Sequence, residues 1–116
     1  MNYELNVEET SSIRRRLHFT LSGDVVRGEL ERAYRDLKKR IRLPGFRPGK
    51  VPRNLLENRF GSQVQGEVAG RLIEQSYREA MTDLDVAGQP SVEEQGEVQG
   101  GAEFSFVIGV DVRPEI

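Results

Sequence analysis

The chain changes its hydrophobic period twice, from two to about three and a half and back again, and few folds satisfy that order. Tyr3, Leu5 and Val7 alternate with Asn2, Glu4, Asn6 and Glu8. Beyond "ETSS", Ile13, Leu17, Phe19 and Leu21 alternate with Arg14, Arg16, His18, Thr20 and Ser22. Alternation of this kind marks half-buried strands, so the first segment predicts a hairpin with one apolar face, on which Arg15 is the exception. Near the other end, Phe104, Phe106, Ile108, Val110 and Val112 share one parity. They predict another half-buried strand, with a short strand around Val92 pairing to it across "QGEVQGG".

Between these strands Val26, Leu30, Ala33, Tyr34, Leu37 and Ile41 recur at spacings of three and four, which predicts a helix over "DVVRGELERAYRDLKKRIRL", ended by Pro44 and Gly45. Pro52 suits the first turn of a short helix, "PRNLLENRF", stopped by Gly61. Ser62 and Gln65 form a capping box for a third helix. Val64, Val68, Leu72, Ala80 and Leu84 make one of its rows, Ala69, Ile73, Tyr77 and Met81 the next, and it ends before "AGQP". Gly66 and Gly70 each cost about 1 kcal/mol relative to alanine within a helix, and their spacing predicts a close crossing with another backbone. The first and third helices, at roughly 28 and 35 Å, are longer than a four-stranded sheet needs for cover, so part of their length should project. The expected fold is α+β: a two-layer domain with an antiparallel sheet of about four strands, and two long helices and a short one inserted between its halves.

At 116 residues the chain is expected to form one domain around a single core. It has no cysteine, which removes disulfides, thiolate zinc sites and cysteine nucleophiles from consideration. The acidic, alternating start and the shortness of "FVIGV" predict neither a secretory leader nor a membrane-spanning helix, and a cytoplasmic setting follows as the expectation. The net charge of −2 conceals a segregation. Residues 27–59 carry eleven Lys and Arg against four Asp and Glu, whereas residues 60–116 carry three against eleven. The basic part suits an anionic partner.

That basic excess runs into "RLPGFRPGKVPRNLL", residues 42–56, placed between two helices and therefore at the tip of a helical projection. Pro44, Pro48 and Pro52 fix their own φ angles, while Gly45 and Gly49 permit values other residues resist. The loop is stiff by composition, so Phe46, Arg47 and Lys50 can be presented at low ordering cost. Phe46 is the apolar anchor and the cations suit phosphate or carboxylate. Folding back as a hydrophobic staple is the alternative for Phe46, but its glycine-flanked setting leaves little apolar surface to cover the ring. Lys38, Lys39, Arg42 and Arg53 are possible additional basic contacts.

Other chemistries fit poorly. "GFRPGKV" has three residues between its glycines where a phosphate-binding loop needs four, Val51 where that loop needs Ser or Thr, and a helix before it in place of a strand. A glycine loop between helices also suggests a KH-like, free-standing RNA-binding module, although "GFRPG" is one residue too long and the strand order matches poorly. His18 falls on the polar face of its strand, the carboxylates are scattered, and no catalytic residue, metal site, cofactor or small-molecule substrate is expected. The arginines at 14–16 alternate faces and are read mainly as solvation or cover for the sheet.

"GFRPGKVP", residues 45–52, resembles the G-F-R-x-G-K-x-P loop of the ribosome-binding domain of the trigger factor family, bacterial chaperones that meet nascent chains at the exit tunnel. "RFG" follows at a suitable distance, then a long helix, and the terminal "VRPEI" is similar to the strand closing that domain. The resemblance covers essentially all 116 residues. It implies a module that docks on the large ribosomal subunit, touching ribosomal protein and 23S rRNA, with the nascent polypeptide as the further partner and no membrane. By position it implies that Phe46, Arg47 and Lys50 make the contacts, with Gly45, Pro48, Gly49 and Pro52 shaping the loop. It also implies that the family's peptidyl-prolyl isomerase domain and C-terminal chaperone body are absent from these residues, so that residues 1–116 are a ribosome-binding domain excised from a longer protein.

Overall fold

A computed structural model describes residues 3–83 and 86–113. Asn2, Leu84 and residues 114–116, which the sequence reading placed in the first strand, the third helix and the closing strand, lie outside the described residues. Strands β1 (Glu4–Glu9), β2 (Arg14–Leu21), β3 (Val86–Gln95) and β4 (Phe104–Val112) form one antiparallel sheet in the order β1-β2-β4-β3. Helices α1 (Gly23–Arg40) and α2 (Arg53–Ala80) are inserted between β2 and β3, and a 3-10 turn follows at Met81–Asp83. The α+β class, the four-stranded sheet and the inserted helices are as expected.

The two strongest alternations in the sequence become the two inner strands. Leu17 lies opposite Ile108, Phe19 opposite Phe106 and Leu21 opposite Phe104. Opposed residues of a pair share a face, so period two on both strands produces one continuous apolar strip. Phe19 and Phe106 stack with centroids 4.9 Å apart and planes at 12°, Tyr3 meets Phe19 edge-on at 5.4 Å, and Phe104 leans on Phe106 at 5.3 Å. Each such pair adds about 0.5–1.5 kcal/mol to the burial itself. Arg15 shares this face by parity, but its guanidinium turns back to donate to the carbonyls of Ser11 at 2.8 Å and Arg14 at 3.1 Å. Ile13 departs from expectation: it lies in the β1–β2 turn, outside β2, and is exposed. Val7 is exposed as well, because β1 is an edge strand with a neighbour on one side only.

The outer face of the sheet is held by charge. Arg14 donates to Asp111 and Glu93, each at 3.1 Å, and Arg16 donates to Glu93 at 2.9 Å and Glu94 at 3.1 Å. The bridges to Glu93 and Glu94 reach from β2 to β3 across β4. Gly109 makes that possible, since a Cβ there would collide with the Arg14 guanidinium and lie 2.8 Å from the Glu93 carboxyl carbon.

The helical layer is simpler than the sequence suggests. Ser22 caps α1 by accepting a hydrogen bond from the Val25 amide, and Lys38, Lys39 and Arg40 sit in its last turn, where the helix dipole favours cations. The helix stops at Arg40, with Ile41 already extended, a few residues before Pro44. The predicted short helix and third helix are one: α2 runs for 28 residues straight through Gly61 and Ser62, and the Ser62 capping box does not form. The reason lies in the packing. Leu56, Phe60, Val64, Val68, Leu72 and Ala80 all fall on one every-fourth-residue row that runs without a break in phase, and their burial outweighs the roughly 1 kcal/mol that Gly61 costs. Gly66 and Gly70 face open space, so the expected backbone crossing is absent. The close approach falls instead at Gly23, where a Cβ would collide with the Gly101 carbonyl of the β3–β4 connection. The strand around Val92 is also longer than predicted: "AGQP" is a bulge inside β3, where Gly88 takes φ +83° and the register jumps from Ala87 opposite Asp111 to Ser91 opposite Gly109.

The molecule measures 65 × 24 × 20 Å with a radius of gyration of 17.5 Å, against about 13 Å for a compact chain of this length. Its elongation follows from the helices. α1 leaves beside the sheet and runs about 27 Å, and α2, about 42 Å long, returns along it before its second half covers the sheet. The far half of this hairpin, packed through Tyr34, Leu37, Val51 and Leu56, projects.

Two glycines on opposite sides of this account should behave oppositely. Gly109→Ala should lower stability by about 1–3 kcal/mol through the clash with Arg14 and Glu93. Gly66→Ala, into open space, should raise it by about 1 kcal/mol. Urea midpoints decide the matter, and a neutral Gly109→Ala would show that the bridges over β4 are not tightly held.

Candidate functional site

Residues 41–52 connect the far ends of α1 and α2. Within them the chain makes two turns in succession, Leu43-Pro44-Gly45-Phe46 and Arg47-Pro48-Gly49-Lys50. The Phe46 amide donates to the Leu43 carbonyl at 3.2 Å and the Lys50 amide to the Arg47 carbonyl at 3.0 Å. Gly45 and Gly49 take φ of 88° and 81°. Proline at the second position and a positive-φ glycine at the third define a type II turn, and both turns meet that description. The stiffness read from composition therefore has a specific form: an X-Pro-Gly-X unit used twice.

The turns are anchored at both arms. Val51 is fully buried, and Ile41 and Leu43 are half-buried against the same core. Between the anchors Phe46 sits at the junction of the two turns with 41% of its surface exposed. Arg47 and Lys50 are exposed on either side of the second turn, and among the described residues neither has an ion-pair partner. Lys39 and Arg42 are exposed and Lys38 is half-exposed nearby. Arg40, exposed in the last turn of α1, belongs to the same cationic end and was missed in the sequence reading. The basic run "KKRIR" carried that signal.

Arg53, partly exposed, differs from them in being paired within the hairpin. Its Nε donates to Glu57 at 2.9 Å and its Nη1 to Glu31 on α1 at 3.0 Å, while its guanidinium carbon lies 4.0 Å above the Tyr34 ring. The hydrogen bond from Arg53 and its charge hold the Glu31 carboxyl below the usual carboxylate range. Burial, with the charge of Glu57, pushes the Tyr34 hydroxyl above its ordinary value. The arginines at 14–16 lie at the other end of the molecule, engaged with one another's neighbours in the sheet.

Grooves also lie away from the loop, among them two that involve the helices. An open groove of about 520 Å³ between the helices is lined by both signs of charge, Asp36 and Glu67 facing Lys39, Arg40 and Arg71. A smaller apolar one, about 160 Å³, lies between α2 and β3 and is lined by Ile73, Tyr77, Val92 and Ile108. Among the described residues no group of three or more His, Cys, Asp or Glu is placed to hold a metal ion, and no helix is long and apolar enough to cross a membrane. The arrangement offers binding chemistry: one aromatic anchor and free cations on a constrained loop.

A family model described as bacterial trigger factor protein matches residues 3–116. The chain is 39% identical over 119 residues to the trigger factor of Nocardia farcinica, an alignment taking in 100% of this chain and 25% of that protein. It is 38% identical over 116 residues to that of Rhodospirillum rubrum and 35% identical over 114 residues to that of Syntrophotalea carbinolica, in each case over 97% of this chain and 26% of the relative. The chain thus spans about a quarter of the length of the curated relatives it matches. A solved structure of the trigger factor chaperone, from work on promiscuous substrate recognition in folding and assembly activities, superposes with a TM-score of 0.77 at 24% identity, over 97% of this chain and 27% of that one. The two share their fold.

The Glu31 contact makes a pH prediction. A carboxylate whose folded pKa is depressed contributes stability above its ordinary value of 4.5 and loses it as pH falls through the lowered one. Glu31→Gln should therefore flatten the acid side of the stability profile below that value, by a small amount because the pair is solvent-exposed. Parallel profiles for the variant and the parent would show that the Arg53 contact does not bias Glu31.

Proposed function

The chain belongs to the bacterial trigger factor family, and from that premise we propose that it docks a nascent-chain chaperone onto the large ribosomal subunit at the polypeptide exit tunnel. The docking element is the Gly45–Lys50 loop, with Phe46, Arg47 and Lys50 making contact and Gly45, Pro48, Gly49 and Pro52 shaping the turns. Ribosomal protein and 23S rRNA are its partners there, in the cytoplasm, and the emerging polypeptide is the partner of the chaperone it tethers. The chain performs no catalysis. The peptidyl-prolyl isomerase and C-terminal chaperone activities of the longer family proteins reside in other segments.

The observation that carries this reading is the display of Phe46. An exposed aromatic ring at the junction of two hydrogen-bonded turns, with free cations beside it, has little ordering entropy left to lose on binding. Its ring suits an apolar pocket on a protein surface, and Arg47 and Lys50 suit phosphate. Lys38, Lys39 and Arg42 extend the cationic surface toward an RNA backbone.

Replacing Phe46, Arg47 and Lys50 together by alanine should abolish cosedimentation with large subunits and leave the thermal midpoint within a few degrees, because exposed changes cost under about 0.5 kcal/mol each. With two or three phosphate contacts, the slope of log affinity against log salt should be about −2. Lys50→Ala should flatten it by nearly one unit, and Phe46→Ala should weaken binding at every salt concentration without changing the slope, since apolar burial releases no counterions. Binding to naked ribosomal RNA as tight as to intact large subunits would favour a free-standing RNA-binding module instead.

A further inference from the structure

Below the tip, the geometry points to Arg53 as a positioning residue: tied to Glu31, Glu57 and the Tyr34 ring, it holds the start of α2 against α1 and so fixes where the docking loop is aimed. This role rests on the docking reading of Phe46, Arg47 and Lys50.

The loop does not orient itself. Among the described residues, the backbone hydrogen bonds inside 42–50 are the two local ones that close its turns, and each joins residues three apart. They make each turn stiff without fixing the pair of turns relative to the helices. The apolar anchors Ile41, Leu43 and Val51 attach the arms to the core, but apolar contact is non-directional. Direction has to come from groups with defined geometry, and Arg53 is placed to supply it. It occupies the first position of α2, two residues beyond the fully buried Val51 and three beyond Lys50.

Its guanidinium works in three directions at once. Nη1 reaches across to Glu31 on α1 at 3.0 Å, Nε reaches one turn along α2 to Glu57 at 2.9 Å, and the plane packs 4.0 Å from the centre of the Tyr34 ring, itself buried on α1. A planar fork with fixed donor directions, stacked on a ring, restrains both the distance between the helices and the rotation of α2 about its axis. A single exposed ion pair would do little of this. The three partners share one guanidinium, so none of them can move without disturbing the other two. The same contacts place a cation between two carboxylates that would otherwise oppose an anion approaching the tip.

The position and charge effects separate in one double variant. Arg53→Met with Glu31→Gln removes one positive and one negative charge, keeps the apolar stem and abolishes the fork. Backbone ¹⁵N relaxation should show the order parameters of Gly45, Phe46, Arg47, Gly49 and Lys50 falling from about 0.85 toward 0.6, with those of Val64 and Leu72 unchanged as the control for folding. Affinity for large subunits should fall about three- to tenfold, the amount expected when side chains must be ordered on binding. Arg53→Lys keeps the charge and loses the fork, and should give an intermediate loss of both. It also carries the test alone if the double variant does not fold, an unchanged loop then contradicting the role. Wild-type order parameters or wild-type affinity in the double variant would overturn the positioning role while leaving docking intact. Equal binding by the parent and the Phe46, Arg47 and Lys50 triple variant would overturn docking, and this role with it.

Discussion

Pairing β2 with β4 puts Leu17, Phe19 and Leu21 opposite Ile108, Phe106 and Phe104, and this strip has to be covered. The outer face buries little beyond Val107, because positions around it are given to Arg14, Arg16, Glu93 and Asp111, which bind one another across the sheet. Cover therefore comes from one side, from the second half of α2 through Val68, Leu72, Ser76 and Ala80 and from the start of α1 at Val26. The rest of both helices has no sheet beneath it. That remainder packs on itself, and it carries the two turns at 43–50 away from the sheet.

A projection of two helices is useful for binding only if its end is rigid. Here rigidity is supplied at three levels: the backbone turns of Pro44-Gly45 and Pro48-Gly49, the burial of Val51, and the Arg53 network at the base. Each acts at a different range. The turns fix neighbouring residues, Val51 fixes one arm, and Arg53 ties together residues from two helices. An exposed Phe46 on such a mount loses little entropy on binding, which separates it from an aromatic ring on a slack loop.

The parts of this structure decided by local period were legible in the sequence. The hairpin, β4 and α1 followed from alternation and from spacings of three and four, and the stiffness and cationic character of the tip followed from Pro44, Gly45, Arg47, Pro48, Gly49 and Lys50. The departures along α2 and β3 share one cause, which is that glycine and proline signal interruption without saying of what kind. Gly61 was read as a stop, but the every-fourth row from Leu56 to Ala80 carries α2 through it. The helix does end before Gly88 and Pro90, but these residues do not separate it from a short strand around Val92: they make a bulge inside β3, which already begins at Val86. Gly66 and Gly70 were read as a crossing, and neither meets a neighbour. The Arg53 network was not legible because Glu31 and Arg53 meet only after the hairpin has formed, and local pattern carries no trace of that meeting.

The central claim is that the chain touches the ribosome with its tip and not with its apolar flank. A photoreactive phenylalanine analogue placed at position 46, and in a second protein at position 92 beside the apolar groove of α2 and β3, tests it directly in the presence of large subunits. Cross-links from position 46 to a large-subunit protein at the tunnel exit, with none from position 92, are the predicted result. Cross-links to the large subunit from position 92 and none from position 46 would contradict the account.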